Sequence, residues 1–465
     1  VHLVGLGFVA AAVAVLGHRD RTPEDLDLVS LVATADREAV AAGAASTMVV
    51  RLDVAAAARS EDAEIGVNLG LLLDTSGSMA GEPIEQARAA VHALVDELRP
   101  HDRITLVTFD SRAQLVQASA TIDDLDLRAL HGRIDEIRAE GTTDLAAGLG
   151  TLLAQLNANP TVGDLDRIVV VGDGVPNDAG PIAGQVEAAR QAGYAITTLG
   201  VGLDYDEVLL GEMARNSGGR FHHVEHGAAL ADSFAAELFG AQRQVAANVW
   251  LQLSTGPGVT IARVVGHGPP MVGEHQHGVV LGELAEGESQ EVFVELAIDA
   301  AAPGTTLELL DAVIAYDDRA GGAGRLERRA FVSMPVSEDA TVLALRDADV
   351  ELGVVAARAA AATIDAIAMT QQGDVDGADA LLYANEQALD RSLAGKGAEG
   401  KNGVTQQQRD GVVRQREELS RLRGEVRNAA PKARARDQWG AGSDGYRRVA
   451  KEANAAAVEV LQAHR

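Results

Sequence analysis

Between Gly66 and Gly240, short runs of consecutive apolar residues alternate with longer segments in which apolar positions recur every three or four residues. The first pattern suits a strand buried on both faces and the second a helix packed on one. Their alternation predicts a doubly wound α/β unit with helices on both sides of a largely parallel sheet. Val67 to Leu73 is the first such strand, and Ile84, Val91, Leu94, Val95 and Leu98 fall at helical spacing, which predicts a helix over 83–98. Further strands are expected at 104–109, 115–117, 168–171, 195–201 and 220–224, and further helices at 125–137, 144–156, 181–192, 206–215 and 228–239. The run Ile168-Val169-Val170-Val171 is β-branched throughout, as befits the centre of a parallel sheet.

The flanks read differently. Leu28–Val32 and Met48–Val54 are strand-like but have no partner close in sequence, and residues 59–64 form an acidic linker. From Val245 to Val336 strands return at 249–253, 279–281, 291–296, 313–316 and 330–332, punctuated by Gly and Pro. These predict a β-sandwich able to recruit the two early strands, with the α/β unit inserted in it or followed by it. The expected division is an apolar N-terminal segment over 1–26, sandwich strands over 27–64, the α/β unit over 65–240, a β-sandwich over 241–337 and an α-helical region over 338–465. Turns are expected near Gly373-Asp374, and a Gly/Lys-rich loop at 395–403.

Composition narrows the function. A chain of 465 residues needs two to four cores at roughly 100–200 residues each. Aromatic residues are only 3 %, so Ala, Val, Leu and Ile must build those cores, which argues against a carbohydrate or nucleobase pocket. The net charge is −28, and residues 396–465 carry 15 basic against 9 acidic side chains while the rest carries 25 against 59. Such a body repels phosphate backbones and anionic membranes, so no nucleic-acid partner is expected and the basic tail reads as a solvated helical face. The absence of Cys removes disulfides, Cys-zinc sites and thiol nucleophiles. Val1 to Leu16 is apolar but lacks a basic lead and falls short of the roughly 20 residues a spanning helix needs. The expectation is a cytoplasmic protein without membrane contact, with anchoring or secretion through residues 1–17 as the alternative. No long apolar span stands out elsewhere, so a channel is not expected.

Three loops carry the chemistry, each after the C-terminal end of an expected strand, where open α/β sheets bind ligands. Asp74-Thr75-Ser76-Gly77-Ser78-Met79 projects a carboxylate and two hydroxyls from a Gly-bearing turn; Gly141-Thr142-Thr143-Asp144 adds a hydroxyl at a helix start; Gly172-Asp173-Gly174 adds a carboxylate. Three hydroxyls and two carboxylates, completed by water, suit octahedral Mg²⁺, with Mn²⁺ or Ca²⁺ as substitutes. Because so little negative charge surrounds the ion, it stays electrophilic and keeps an exchangeable water that an Asp or Glu of a protein partner can displace. The plainer alternative is that Ser76 and Ser78 cap the following helix and Asp173 makes a turn.

Together these loops resemble the metal-ion-dependent adhesion site of von Willebrand factor type A domains, a Rossmann-like α/β fold, over roughly residues 65–240. The Asn216-Ser217-Gly218-Gly219-Arg220-Phe221 turn fits as well. The resemblance implies that Asp74, Ser76 and Ser78 act from the first loop, Thr143 from the second and Asp173 from the third. Gly172 stands where the family commonly has Thr or Ser, and Thr142 beside Thr143 leaves the hydroxyl assignment open by one position. The flanking regions are similar to bacterial proteins related to inter-alpha-trypsin inhibitor heavy chains and calcium-activated chloride channel regulators. The resemblance implies a metal-dependent interaction or scaffold protein rather than an enzyme, with an adaptor for an AAA+ ATPase as a second reading. A metal-dependent hydrolase is disfavoured because no general base stands beside the loops.

Other signals are weaker. His222 and His223 point to opposite faces of a strand, which argues against a joint metal site with Glu225 and His226, and His275 with His277 is a lone pair. Gly395 to Lys401 imitates a phosphate loop but is followed by Asn402 instead of Ser or Thr, and no His-Glu-x-x-His motif occurs. Asp374-Val375-Asp376-Gly377 begins like a calcium loop but lacks the later ligands, so a helix-start turn is expected.

Overall fold

A computed structural model describes residues 28–57, 66–161, 164–202, 205–224, 230–231, 233–234, 244–267, 276–319, 323–394, 404–433 and 444–461. The apolar segment 1–26, the acidic stretch 59–64, Glu225, His226, His275 and the loop 395–403 lie outside the described residues.

The chain opens with β1 (Val29–Ala35), the short β2 (Val40–Ala41) and β3 (Ser46–Ala56). The α/β unit follows as β4 (Val67–Asp74), α1 (Glu82–Glu97), β5 (Arg103–Phe109), β6 (Ala113–Thr121), α2 (Leu127–Asp135), α3 (Leu145–Ala158), β7 (Leu165–Gly172), α4 (Ile182–Gln191), β8 (Ala195–Val201), α5 (Glu207–Ser217) and β9 (Phe221–Val224). Its six strands lie in the order β6-β5-β4-β7-β8-β9, all parallel except β6, which runs antiparallel to β5. Of the helix expected at 228–239, only Leu230, Ala231, Ser233 and Phe234 are described, all helical.

Alternation along β4 divides the core in two. Leu69, Leu71 and Leu73 pack with α1 and α2, while Leu72 packs with α3, α4 and α5 on the other face. This is the doubly wound arrangement, and it arises because both faces of the central strands are apolar. Asp126, Asp144 and Asp206 each accept hydrogen bonds from first-turn amides of α2, α3 and α5, which is why those helices begin where they do.

The remaining strands are β10 (Gln244–Ser254), β11 (Val259–Val264), β12 (Gln276–Ala285), β13 (Ser289–Ile298), β14 (Thr306–Asp318) and β15 (Gly324–Ser337). They combine with the first three into a four-stranded sheet, β1-β3-β13-β11, and a five-stranded sheet, β12-β10-β14-β15-β2. β3 pairs antiparallel with β13, setting Val50 opposite Val294 and Leu52 opposite Val292, so the early strands find their partners some 240 residues later. One buried cluster draws on both sheets, including Val50, Leu52 and Leu296 from one and Leu251, Leu253 and Ile314 from the other. The α/β unit therefore interrupts a two-sheet body within the chain. β11 was not apparent in the sequence pattern because only its end residues, Val259 and Val264, are buried.

Past a one-turn helix at Ala340–Leu343, four longer helices follow among the described residues: α6 (Ala348–Gln371), α7 (Val375–Ala394), α8 (Gln406–Ala433) and α9 (Asp444–Leu461). α6 corrects the expectation of no further long apolar span, since its best window has a mean hydropathy of 1.6. Ala-rich composition hides it from an eye tuned to Leu and Ile. Over half of that window is buried, with Leu352, Ala359 and Ile367 packed against Leu382, Leu389, Leu419 and Val449, which is the placement of a core helix. The Asp374 carboxylate accepts from the Gly377 amide (3.0 Å) at the start of α7, a helix-start turn.

Candidate metal centre

The sheet order places a crevice before any side chain is considered. From β4 the chain passes through α1 to β5 on one side, and from β7 through α4 to β8 on the other, with α1 and α4 on opposite faces. β4 and β7 are neighbours, so the connections diverge beyond their carboxyl ends and leave the switch-point opening where ligands settle in such sheets. Asp74 is the last residue of β4, and Asp173 directly follows β7.

Main-chain hydrogen bonds lace the loops around this opening. The Thr75 amide and hydroxyl both donate to the Phe109 carbonyl (2.8 and 3.1 Å). The Glu140 amide donates to Thr75 O (2.8 Å) and the Gly77 amide to Gly141 O (3.1 Å), joining the second loop to the first. The Asn177 amide donates to Thr143 O (2.9 Å), joining the third loop to the second. Side chains carried by the three loops are thereby held in fixed relation.

All five expected residues converge. The Ser76 amide donates to Asp74 Oδ1 (2.8 Å), the Ser76 and Ser78 hydroxyls are 2.9 Å apart, and Ser78 Oγ donates to Asp173 Oδ1 (2.6 Å). A methyl group placed on Gly174 would meet Thr143 Oγ1 at 2.8 Å and both Asp74 Oδ2 and Ser78 Oγ at 3.6 Å. Three oxygens from the first two loops thus ring one small space that the glycine of the third leaves open. Thr142 turns away, since its hydroxyl accepts from Asn177 Nδ2 (3.0 Å), whereas Thr143 is buried. Of the two threonines, the second faces the cluster.

The serines do not cap a helix. α1 begins after Gly81, whose φ of 87° suits glycine, with no side-chain cap, and the 3-10 turn Gly77–Met79 draws none from Ser76. Asp144, by contrast, is spent capping α3 through the Ala147 amide (3.0 Å). Sequence reading passed over the supports of the site: Thr75, Asp110, whose carbonyl accepts from the Asp144 amide (2.7 Å), and Ser111, whose hydroxyl accepts from the Thr142 amide (3.1 Å). Their one visible signal is position just past the ends of β4, for Thr75, and of β5, for Asp110 and Ser111.

Asp74 is fully buried, and its Oδ2 has no well-aligned donor among the described residues. Burial pushes its carboxyl above the usual range, opposed by hydrogen bonds from Ser76 and, more weakly, from the Asp173 and Gly174 amides. With the Asp173 and Gly174 amides close by but poorly aligned to it, Oδ2 keeps acceptor capacity that a cation could use. Among the described residues no group of three or more His, Cys, Asp or Glu converges. That suits a hydroxyl-rich oxygen set with two carboxylates and a hard ion; it does not suit zinc. His222 and His223 lie on β9, where the Tyr205 hydroxyl and His223 Nδ1 are 2.8 Å apart.

The family model for the von Willebrand factor type A domain matches residues 68–236. This chain contains a von Willebrand factor type A domain. An uncharacterized protein of Synechocystis sp., sll0103, is 28 % identical over 293 residues, 60 % of this chain and 68 % of that protein. Inter-alpha-trypsin inhibitor heavy chain H4 of Homo sapiens is 28 % identical over 185 residues, 37 % of this chain and 20 % of its own length. The chain thus spans about two thirds of the first relative and a fifth of the second. The solved structure of a von Willebrand factor type A protein from Catenulispora acidiphila aligns with a TM-score of 0.66 at 18 % identity, over 84 % of this chain and 89 % of that one. That likeness extends the shared fold beyond the type A domain to the flanking sheets and helices.

Proposed function

We propose that Asp74, Ser76, Ser78, Thr143 and Asp173 of the type A domain hold a divalent cation, Mg²⁺ in the first place, and that the loops around it recognise an acidic side chain of a protein partner. Type A domains generally mediate protein–protein interaction. The observation that carries the metal reading is the convergence of Thr143 Oγ1, Ser78 Oγ and the buried Asp74 Oδ2, which has no well-aligned donor, on one small space. When bound, the cation supplies an electrophilic centre with a coordination position open to a carboxylate. The protein's own part is to aim two carboxylates and three hydroxyls at one point, and to keep that point at the surface: Ser78 is exposed while Asp74 and Ser76 are buried beneath it. Nothing in the donor set lowers a bound water's pKa as zinc would, and among the described residues no general base faces the space, so binding rather than hydrolysis is the chemistry this arrangement supports.

Thermal unfolding with and without Mg²⁺ tests the reading. At a Mg²⁺ concentration 100 times its Kd, binding to the folded state alone adds about 2.7 kcal/mol. At about 2–4 °C per kcal/mol for a domain of this size, the melting temperature should rise by roughly 5–10 °C. Asp74→Ala and Asp173→Ala should each abolish the rise and the Mg²⁺-dependent capture of an acidic partner. A rise of equal size in both variants would remove these residues from the metal site.

A further inference from the structure

α1 and α2 pack on the same face of the sheet, and each carries a His-x-x-x-Asp segment: His92 with Asp96 on α1, His131 with Asp135 on α2. At that spacing the histidine and aspartate share a helix face. The two segments engage each other reciprocally. His92 Nε2 lies 3.0 Å from Asp135 Oδ1, and His131 Nε2 lies 3.1 Å from Asp96 Oδ1. The two Nδ1 atoms face each other at 2.6 Å, with ring centroids 4.8 Å apart and 27° between planes.

Proton positions make this geometry informative. An ionised carboxylate only accepts, so each Nε2 carries the hydrogen, and a neutral imidazole then has its lone pair on Nδ1. Two lone pairs pointed at each other across 2.6 Å repel unless a positive centre lies between them. We propose that His92 and His131 form a clamp for a divalent d-block cation of the zinc class, bound by the two Nδ1 atoms. The clamp stands apart from the three-loop site and does not depend on it.

The surroundings fit that role. A carboxylate behind each ring fixes the tautomer and the ring orientation, the outer-shell partnership of metal-bound histidines. Two nitrogens on tetrahedral zinc sit about 3.3 Å apart at bond lengths near 2.0–2.1 Å, so the rings need to part by roughly 0.7 Å. Both side chains are about a quarter exposed, 26 % for His92 and 28 % for His131, which leaves room for that movement and for water at the remaining positions. Among the described residues no third His, Cys, Asp or Glu completes the set, so this is a two-histidine, water-completed site. Imidazole ligands select zinc or copper over magnesium, and oxygen ligands do the reverse, so the two sites would sort cations by ligand type.

Calorimetric titration of the whole chain with Zn²⁺, in excess Mg²⁺ at neutral pH, tests the clamp. One equivalent should bind to the wild type and be lost in the double variant His92→Gln, His131→Gln. Asp96→Asn with Asp135→Asn should weaken it about 10–100-fold. Asp74→Ala should leave it unchanged, which separates failure of this site from failure of the three-loop reading. Nitrogen-15 NMR of the wild-type imidazoles gives a readout free of any folding defect: the Nδ1 resonances of both rings should move with Zn²⁺. Uptake unchanged in the double-histidine variant, or Nδ1 resonances that stay fixed and report only a shared proton, would overturn the proposal.

Discussion

Gly174 decides whether a cation fits. Its missing side chain leaves the space that Thr143 Oγ1, Asp74 Oδ2 and Ser78 Oγ surround. The residue has no left-handed backbone to protect, so Gly174→Ala should fold once Thr143 gives way, with a melting temperature in chelator that sets its own baseline. The added methyl would stand 2.8 Å from Thr143 Oγ1 and occupy the approach to the site, so the Mg²⁺-dependent rise in melting temperature should vanish. A full rise in this variant would mean that the cation sits elsewhere. At this scale the candidate site was legible in the sequence, because Asp74 and Asp173 directly after apolar strands leave few other readings, although the loop that carries Thr143 follows α2 and not a strand as expected. Asp74, Ser76, Ser78, Thr143 and Asp173 could be named, and the structure brings them together. The choice of Thr143 over Thr142 needed coordinates, because only the direction of each side chain separates two adjacent threonines.

Among the elements, α9 shows how a buried charge can join distant segments. Lys451 is almost fully buried; its Nζ donates to Tyr205 O (2.6 Å) and Glu207 Oε2 (2.9 Å) and lies 3.6 Å from the centre of the Tyr205 ring. Asn454 Nδ2 adds a bond to the Glu207 carbonyl (3.0 Å), so α9 is fastened to the start of α5. Breaking a buried pair strands the other charge, so Lys451→Ala should destabilise by about 3–5 kcal/mol in chemical denaturation. Combining Lys451→Met with Glu207→Gln should recover much of that loss, and equal losses for the single and double variants would deny the coupling. This contact was not legible in the sequence: a lysine on a helix reads as a solvated face, and its partner lies 244 residues away. The strands of the α/β unit were legible for the opposite reason, since burial on both faces writes a continuous apolar run. Their ends were less so. β6 spans Ala113–Thr121 although only Leu115-Val116-Gln117 was expected, because edge strands mix exposed residues among the buried.

On the scale of the whole molecule, the helical region lies against the β1-β3-β13-β11 sheet through ion pairs as well as apolar contact. Arg358 of α6 donates to Glu295 Oε1 on β13 (2.8 Å), which also accepts from Arg263 (2.7 Å), while Arg51 of β3 pairs with Asp349 of α6 (2.6 Å). Burial by itself would raise the Glu295 carboxyl, but the bonds from Arg263 and Arg358 outweigh it and hold the group below its ordinary 4.5. A carboxyl lowered in the folded state adds stability that is present above 4.5 and fades as the pH falls through the folded value. Thermal unfolding followed from pH 6 to pH 3 should lose stability more steeply in the wild type than in Glu295→Gln. Parallel slopes would show that the pair does not couple these parts. The pairing of β3 with β13 across the α/β unit was open to sequence reasoning only as unpaired strand material, since apolar alternation announces a strand without naming its neighbour.

The central claim is that three loops hold one cation with a coordination position left for a partner's carboxylate. Water-proton relaxation during a Mn²⁺ titration reads that property directly, because Mn²⁺ reports both its binding and its exchangeable water. The wild type should bind one Mn²⁺ competitively with Mg²⁺ and show an enhancement that falls when a Glu-containing peptide is added, while Gly174→Ala and Asp74→Ala should show none. Equal enhancement in all three proteins, or a bound Mn²⁺ without exchangeable water, would contradict it.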